Sequence, residues 1–144
     1  METRVVKHYS KEYWKLVQLR DKVLREPLNL MFSEEELFME ADQIHIGCFE
    51  ENQAAASLTL VKLSEDTVKM RQVCVHPFAQ GKGLGKIIVN FSEQWAIENG
   101  YKLMECNARE TAIPFYLNLG YEKQGESFNE VGLPHCKLIK KLKK

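Results

Sequence analysis

Apolar and polar positions along this chain change their period twice, and the changes divide it into a helical start, a run of strands and a strand–helix–strand remainder. A short β-prone run covers Arg4 to Tyr9. From Ser10, a plausible N-cap, apolar residues recur at helical spacing as Tyr13, Leu16, Val17, Val23 and Leu24, predicting a helix that runs towards Arg25. Pro27 and Asn29 break that pattern, and Ser33 with Glu36 three residues later reads as a capping box for a short helix through Leu37 and Phe38. At Gln43 the period becomes two. Ile44, Ile46 and Cys48 share one face, Glu51-Asn52-Gln53 supplies a turn, and a second strand follows from Ala54 to Leu63. After the polar turn Ser64-Glu65-Asp66, a third strand runs from Val68 to Val75, completing an antiparallel meander.

His76-Pro77 stops that strand, and the glycine-rich stretch from Gln80 to Gly85 opens a helix with apolar positions Leu84, Ile87, Ile88, Phe91 and Trp95. Asn99-Gly100 ends this helix, and Lys102 to Asn107 reads as a further core strand, so that strand, helix and strand make a βαβ crossover. A last helix is expected from Thr111 to Leu119, with Pro114 in its first turn and Gly120 at its stop, followed by weaker strands near Tyr121 and from Cys136 to Leu142. The predicted class is α/β of the α+β kind: a mixed central sheet, antiparallel in its N-terminal part with strands splaying near Val73 to Val75, and helices on both faces.

Length and composition narrow this. The 144 residues suit one domain over residues 1–144, and 44% hydrophobic residues provide a core. Lys plus Arg and Asp plus Glu number 20 each, so no global field attracts nucleic acid or an anionic membrane. No apolar run approaches the roughly 20 residues of a membrane helix, and no apolar stretch follows the start; a soluble, cytoplasmic protein is expected. The 4 cysteines, Cys48, Cys74, Cys106 and Cys136, are scattered among strand segments, which favours reduced, packed thiols over a metal site or a disulfide frame.

The chemistry is concentrated in the glycine-rich loop. A glycine-rich turn between a buried strand and a helix presents consecutive backbone N–H groups at the positive end of the helix dipole, and Lys82 and Lys86 add local positive charge. This is a phosphate site. It is not a nucleoside-triphosphate loop, because Lys86 is followed by Ile87 rather than Ser or Thr. Nor is it a dinucleotide fingerprint, since the glycines fall as Gly-x-Gly-x-Gly and three strands come first.

Val73-Cys74-Val75-His76-Pro77 followed by Gln80-Gly81-Lys82-Gly83-Leu84-Gly85 resembles the signature of the GNAT acetyltransferases, [Gln/Arg]-x-x-Gly-x-[Gly/Ala] after a strand ending Val-x-Pro. The run Ala112 to Tyr121 is similar to that family's Ala-x-x-Phe-Tyr-x-x-x-Gly-[Phe/Tyr] element, and Asn107-Ala108-Arg109 with Gly132 to His135 looks like its small bacterial ElaA-type members. The resemblance implies an acetyl-coenzyme A-dependent N-acyltransferase (EC 2.3.1 class), without metal, acting on a small-molecule amine or a peptide. A homodimer, a non-catalytic acyl-coenzyme A sensor and a protein N-terminal or lysyl acetyltransferase remain open.

Carried over residue by residue, the resemblance places Gln80, Gly81, Lys82, Gly83, Leu84, Gly85 and Lys86 around the coenzyme pyrophosphate, and Val73, Cys74 and Val75 along its pantetheine arm. It makes the Val75 N–H the group that polarises the thioester carbonyl and Tyr116 the acid that protonates the leaving thiolate, with Asn107 bonding coenzyme or acceptor. The glutamate that many members carry before the loop is absent, Lys69, Arg71 and Gln72 standing there instead. By residue type, His135, Glu130 and His76 are candidates for the base. Arg20, Arg71 and Arg109 hint at an acceptor with a carboxylate.

Overall fold

The computed structural model describes residues 1–143. In chain order it contains β1 (Glu2–Val6), α1 (Lys11–Arg20), α2 (Glu34–Phe38), β2 (Ile44–Glu50), β3 (Gln53–Lys62), β4 (Thr67–Val75), α3 (Leu84–Glu98), β5 (Leu103–Arg109), α4 (Ile113–Asn118), β6 (Glu122–Glu130) and β7 (Leu133–Lys141). The strands form a 7-stranded mixed sheet in the order β1-β2-β3-β4-β5-β7-β6. β4 and β5 are parallel, as a crossover through α3 requires, and the pairings β1–β2, β2–β3, β5–β7 and β6–β7 are antiparallel. The parallel ladder registers Thr67 to Met70 against Leu103 to Cys106. The chain divides into two compact units, Met1–Val61 with Gln72–Ser92, and Lys62–Arg71 with Glu93–Lys144.

In the first unit, the Ser10 hydroxyl accepts from the Tyr13 N–H at 3.2 Å and starts α1. The helix buries Tyr13, Leu16, Val17 and Leu19 in a core with Val6, Leu37, Phe49, Ala54 and Cys74. The expected helix to Arg25 does continue, but Asp21–Arg25 widens into a π turn and Val23 and Leu24 only edge the core. The capping box at Ser33 and Glu36 forms in both directions. Glu51 and Asn52, at φ 51° and 67°, make the two-residue turn of a tight β2–β3 hairpin. β2 is buried over His45 to Phe49, on both faces rather than on the one face its alternation suggests.

That burial encloses a polar group. Arg20, 1% exposed, forms a fork with Glu40 through Nη1–Oε2 and Nη2–Oε1 contacts of 2.8 Å each, and the Tyr13 hydroxyl donates to Glu40 Oε1 at 2.7 Å. His45 sits beneath them, its Nε2 3.0 Å from the Glu40 carbonyl. Removing one partner of such a buried pair leaves an uncompensated charge and costs about 3–5 kcal/mol.

In the second unit, β7 lies between β5 and β6, and Val131 and Gly132, at φ 47° and 76°, turn the β6–β7 hairpin. The expected weak strands near Tyr121 and Cys136 are therefore one long hairpin. β6 is exposed at all 9 residues, so it shows no apolar alternation to read. The Glu93 carboxylate accepts from the Tyr121 hydroxyl and from Lys140 Nζ, both at 2.8 Å. This pulls the buried stripe of α3 to Leu84, Ile88, Val89, Ser92, Glu93 and Ala96. Ile87, expected in the stripe, is 43% exposed, while Phe91 and Trp95 are half-buried. Hydrophobicity alone points one position off the face that a buried carboxylate selects.

Burial holds the His45 imidazole below its ordinary pKa, outweighing the Glu40 carbonyl and carboxylate beside it. Burial would raise the Glu40 carboxyl, but the Arg20 hydrogen bonds and charge prevail and hold it below the usual carboxylate range. Both depressed values mean the unfolded chain binds more protons on acidification, so stability is full above the ordinary pKa values and lost as pH falls. His45 acts first, below about pH 6.5, and Glu40 below about pH 4.3. The melting temperature is expected to fall from about pH 6.5 downward, and His45→Gln, which keeps an N–H donor, should flatten the profile between about pH 6.5 and 5. A His45→Gln profile as steep as the parent's over that interval contradicts this assignment.

Candidate functional site

The glycine-rich loop belongs to the first unit and is built by the way β4 ends. Gln72 takes φ 56°, Cys74 is buried, and the His76 N–H donates to the Ala55 carbonyl at 2.8 Å. His76 Nδ1 then accepts from the Phe78 N–H at 3.2 Å and caps the single turn Pro77–Ala79. Gly81 and Gly83 follow at φ 83° and 76°. A Cβ at either would meet nothing within 4 Å, so these glycines serve the left-handed backbone, and the space over them is open.

The Gly83 carbonyl accepts from the Ile87 N–H at 3.1 Å, which makes Gly83 the N-cap of α3. The N–H groups of Leu84, Gly85 and Lys86 fall in the first turn, where no intrahelical acceptor exists. From Gly81 to Lys86 the residues are Gly, Lys, Gly, Leu, Gly and Lys, none with a side-chain oxygen to cap them. The missing acceptor must come from outside the helix. Lys82 rests on the surface, its Nζ 3.5 Å from Glu50 and 6.0 Å from the centre of the Phe78 ring, a loose pairing that an anion can replace. Leu84 is 2% exposed and offers only its N–H, whereas the side chains of Gln80, Lys82 and Lys86 are exposed. Left-handed glycines, an uncapped helix start and two free-reaching lysines fit a diphosphate.

The thiols offer no nucleophile. All four are buried and reduced. Burial pushes the Cys74 thiol up to about 12, and burial together with the Glu105 charge does the same to Cys106.

In the second unit the structure brings together three residues that the sequence left separate. Asn107 Nδ2 donates to Glu130 Oε1 at 3.2 Å, and His135 Nε2 lies 3.6 Å from Glu130 Oε2. His135 is 4% exposed, and its Nδ1 stands 2.9 Å from the Leu133 carbonyl, which can only accept. Nδ1 is therefore the N–H of the neutral ring, and Nε2 turns its lone pair towards the carboxylate, a place for one proton. Tyr116 is 6% exposed, edge-on to Phe115 and Tyr121 with ring centres 5.0 and 5.6 Å away. The Tyr121 hydroxyl is committed to Glu93, and burial with that neighbouring charge drives its pKa far above the ordinary phenol value. A surface hollow of about 490 Å³ in this unit is lined by Glu93, Gly120 and Lys140 and contains none of Asn107, Glu130 and His135.

Arg20 corrects an expectation. Locked on Glu40 in the core, it is not available to an acceptor's carboxylate; Arg71 is exposed and Arg109 half-buried. The signal was present, since Arg20 stands on the same helical face as Tyr13, Leu16 and Val17. Glu50 as the resting partner of Lys82 had no such signal, because nothing local in the sequence joins them.

Residues 10–142 match the family described as "Acetyltransferase (GNAT) domain". The uncharacterized protein YyaT of Bacillus subtilis (strain 168) is 29% identical over 123 residues, which cover 78% of this chain and 82% of that one. Among solved structures, Escherichia coli ElaA superposes with a TM-score of 0.83 at 20% identity, covering 97% of this chain and 99% of its own. An aminoglycoside 6'-N-acetyltransferase complexed with coenzyme A gives 0.82 at 12% identity, covering 100% and 98%. At such identities the likeness to the two structures is one of fold, while the family match runs through the glycine loop to β7. The chain belongs to the GNAT acetyltransferase family.

Proposed function

We propose that this protein is an N-acetyltransferase that moves the acetyl group of acetyl-coenzyme A directly to an amine in a ternary complex. The observation that carries the reading is the start of α3, where left-handed glycines and uncapped N–H groups leave an anion seat that no side chain of the loop fills. Gly81 to Lys86 would hold the pyrophosphate through backbone N–H groups, with Lys82 released from Glu50 to neutralise it. Val73, Cys74 and Val75 would receive the pantetheine arm as an added strand, their backbone making the contacts and the Val75 N–H polarising the carbonyl.

Acetyl-coenzyme A, when bound, supplies an activated thioester. The amine nitrogen forms the new C–N bond as the C–S bond breaks; one proton must leave the nitrogen and one must reach the sulfur. The His135 Nε2 lone pair is suited to take the first, because Glu130 beside it stabilises the imidazolium and Asn107 fixes the carboxylate. Tyr116 would supply the second; its ring is held by Phe115 and Tyr121, so its hydroxyl has little freedom to relocate. Direct transfer accords with buried Cys74 and Cys106 thiols whose pKa values stand at about 12. An amine acceptor agrees with the aminoglycoside enzyme among the structures of like fold. Both a small amine and a peptide amine remain within the proposal.

Coenzyme A should raise the melting temperature of the parent protein, because a ligand that binds only the folded state stabilises it by mass action. Gly83→Val places a β-branched residue at φ 76° with open space around it, so the fold should survive somewhat destabilised while the coenzyme-induced shift disappears. A Gly83→Val protein that gains as much from coenzyme as the parent overturns the phosphate seat.

Tyr116→Phe keeps the ring contacts and removes one proton donor. Turnover with a competent amine should fall by roughly 10²–10⁴ while coenzyme affinity stays within about threefold of the parent. Loss of affinity together with stability would mark Tyr116 as a core residue, and unchanged turnover would assign the proton to another group.

A further inference from the structure

Gln72 differs from the other residues that hold a left-handed backbone. Tyr9, Asn29, Glu51, Asn52 and Val131 take positive φ in turns, but Gln72, at φ 56°, lies inside a strand, and among the described non-glycine residues it alone does so. Such a conformation persists in a side chain bearing a Cβ only where its surroundings hold it. The holding group is on the page: Arg20 Nη1 donates to Gln72 Oε1.

The same Nη1 donates to Glu40 Oε2 at 2.8 Å, and Nη2 donates to Glu40 Oε1 at 2.8 Å. The fork fixes the plane of the guanidinium, the Phe32 ring lies 4.8 Å from its central carbon, and the Tyr13 hydroxyl holds the carboxylate from the other side at 2.7 Å. With its plane fixed, the remaining Nη1 proton has one direction to point, and Gln72 stands there. The network is costly as a stabilising device. It buries a charge pair and leaves the Arg20 Nε without a hydrogen-bond partner among the described residues. A buried ion pair is weak evidence for stability; its best-attested use is to fix a register. Here the register is that of β4, whose next three residues are Val73, Cys74 and Val75.

We propose that Arg20 and Gln72 are positioning residues, a clamp that holds the break in β4 and so sets the backbone of Val73–Val75 in the orientation that receives the coenzyme. The proposal rests on the coenzyme reading above for its function, though not for its structure. Glu40 and Tyr13 act one step further back by holding Arg20, and none of the four need touch the coenzyme.

The experiment compares the full-length parent with Gln72→Ala, which loses the clamp and keeps a Cβ at positive φ, and Gln72→Gly, which loses the clamp and accepts that φ freely. Amide hydrogen exchange is read at Val73, Cys74 and Val75, and coenzyme A binding by calorimetry. Gln72→Ala should speed exchange at those three amides about tenfold or more, with the core amides of α1 unchanged, and weaken coenzyme A about tenfold. Gln72→Gly should recover affinity to within about threefold of the parent. Should Gln72→Ala fail to fold, Gln72→Met keeps the length and packing and makes the same comparison. Parental exchange and affinity in Gln72→Ala overturn the clamp, as do a uniform rise in exchange over the whole unit or a Gln72→Gly protein as weak as Gln72→Ala. If the parent itself does not bind coenzyme A, the coenzyme reading fails, and the exchange at Val73–Val75 still decides the clamp.

Discussion

The first turn of an α-helix exposes N–H groups that the helix cannot satisfy, and α3 begins with residues that cannot satisfy them either. Glycine has no side chain, lysine only donates and leucine does neither, so the segment from Gly81 to Lys86 is left without an acceptor of its own. A helix start of this kind is ordinarily completed by Ser, Thr, Asp or Asn at the N-cap, worth about 1 kcal/mol. Gly83 stands there instead, at φ 76° with open space around it. Local stability has been given up at the point where the dipole, the free N–H groups and two lysines converge, and the functional reading depends on that arrangement.

The rest of the first unit serves to place that helix start. β4 must end where it does, and three devices end it: the left-handed Gln72, the His76 cap on the turn Pro77–Ala79, and the bond from the His76 N–H to Ala55. Gln72 is tied to α1 through Arg20 and thereby to Glu40 beyond α2. In the second unit the same logic recurs with different residues. Glu93 holds Tyr121 and Lys140, while the β6–β7 hairpin brings Glu130 and His135 to Asn107 at the end of β5.

Much of this could be read from the chain, for a physical reason in each case. Ser10, Ser33 with Glu36, and Gly100 signal helix ends through local hydrogen bonding and backbone freedom, which sequence displays directly. The β4–α3–β5 crossover was legible because apolar period, glycine loop and helix stop succeed one another in order. What escaped was set by distant partners. β6 has no buried face, so its nine residues carry no pattern, and the β6–β7 hairpin was visible only as two weak fragments. Ile87 looked like a core residue until Glu93 was seen to be buried by two partners remote in sequence. Arg20 looked like a surface cation because its counter-charge, Glu40, lies in another element. Of the site, the phosphate loop was plain in the sequence, whereas the grouping of Asn107, Glu130 and His135 came only from the strand register that sets Asn107 to Arg109 against Lys137 to His135.

The central claim is that the start of α3 is an anion seat waiting for the coenzyme. Its most direct test is a titration of the isotope-labelled protein with coenzyme A, followed through the backbone amide resonances. The account predicts that the amides of Gly81 to Lys86 shift most, with saturable behaviour, and that those of Val73 to Val75 move with them. Saturable binding that leaves the amides of Gly81 to Lys86 in place, or no binding at all, would contradict it.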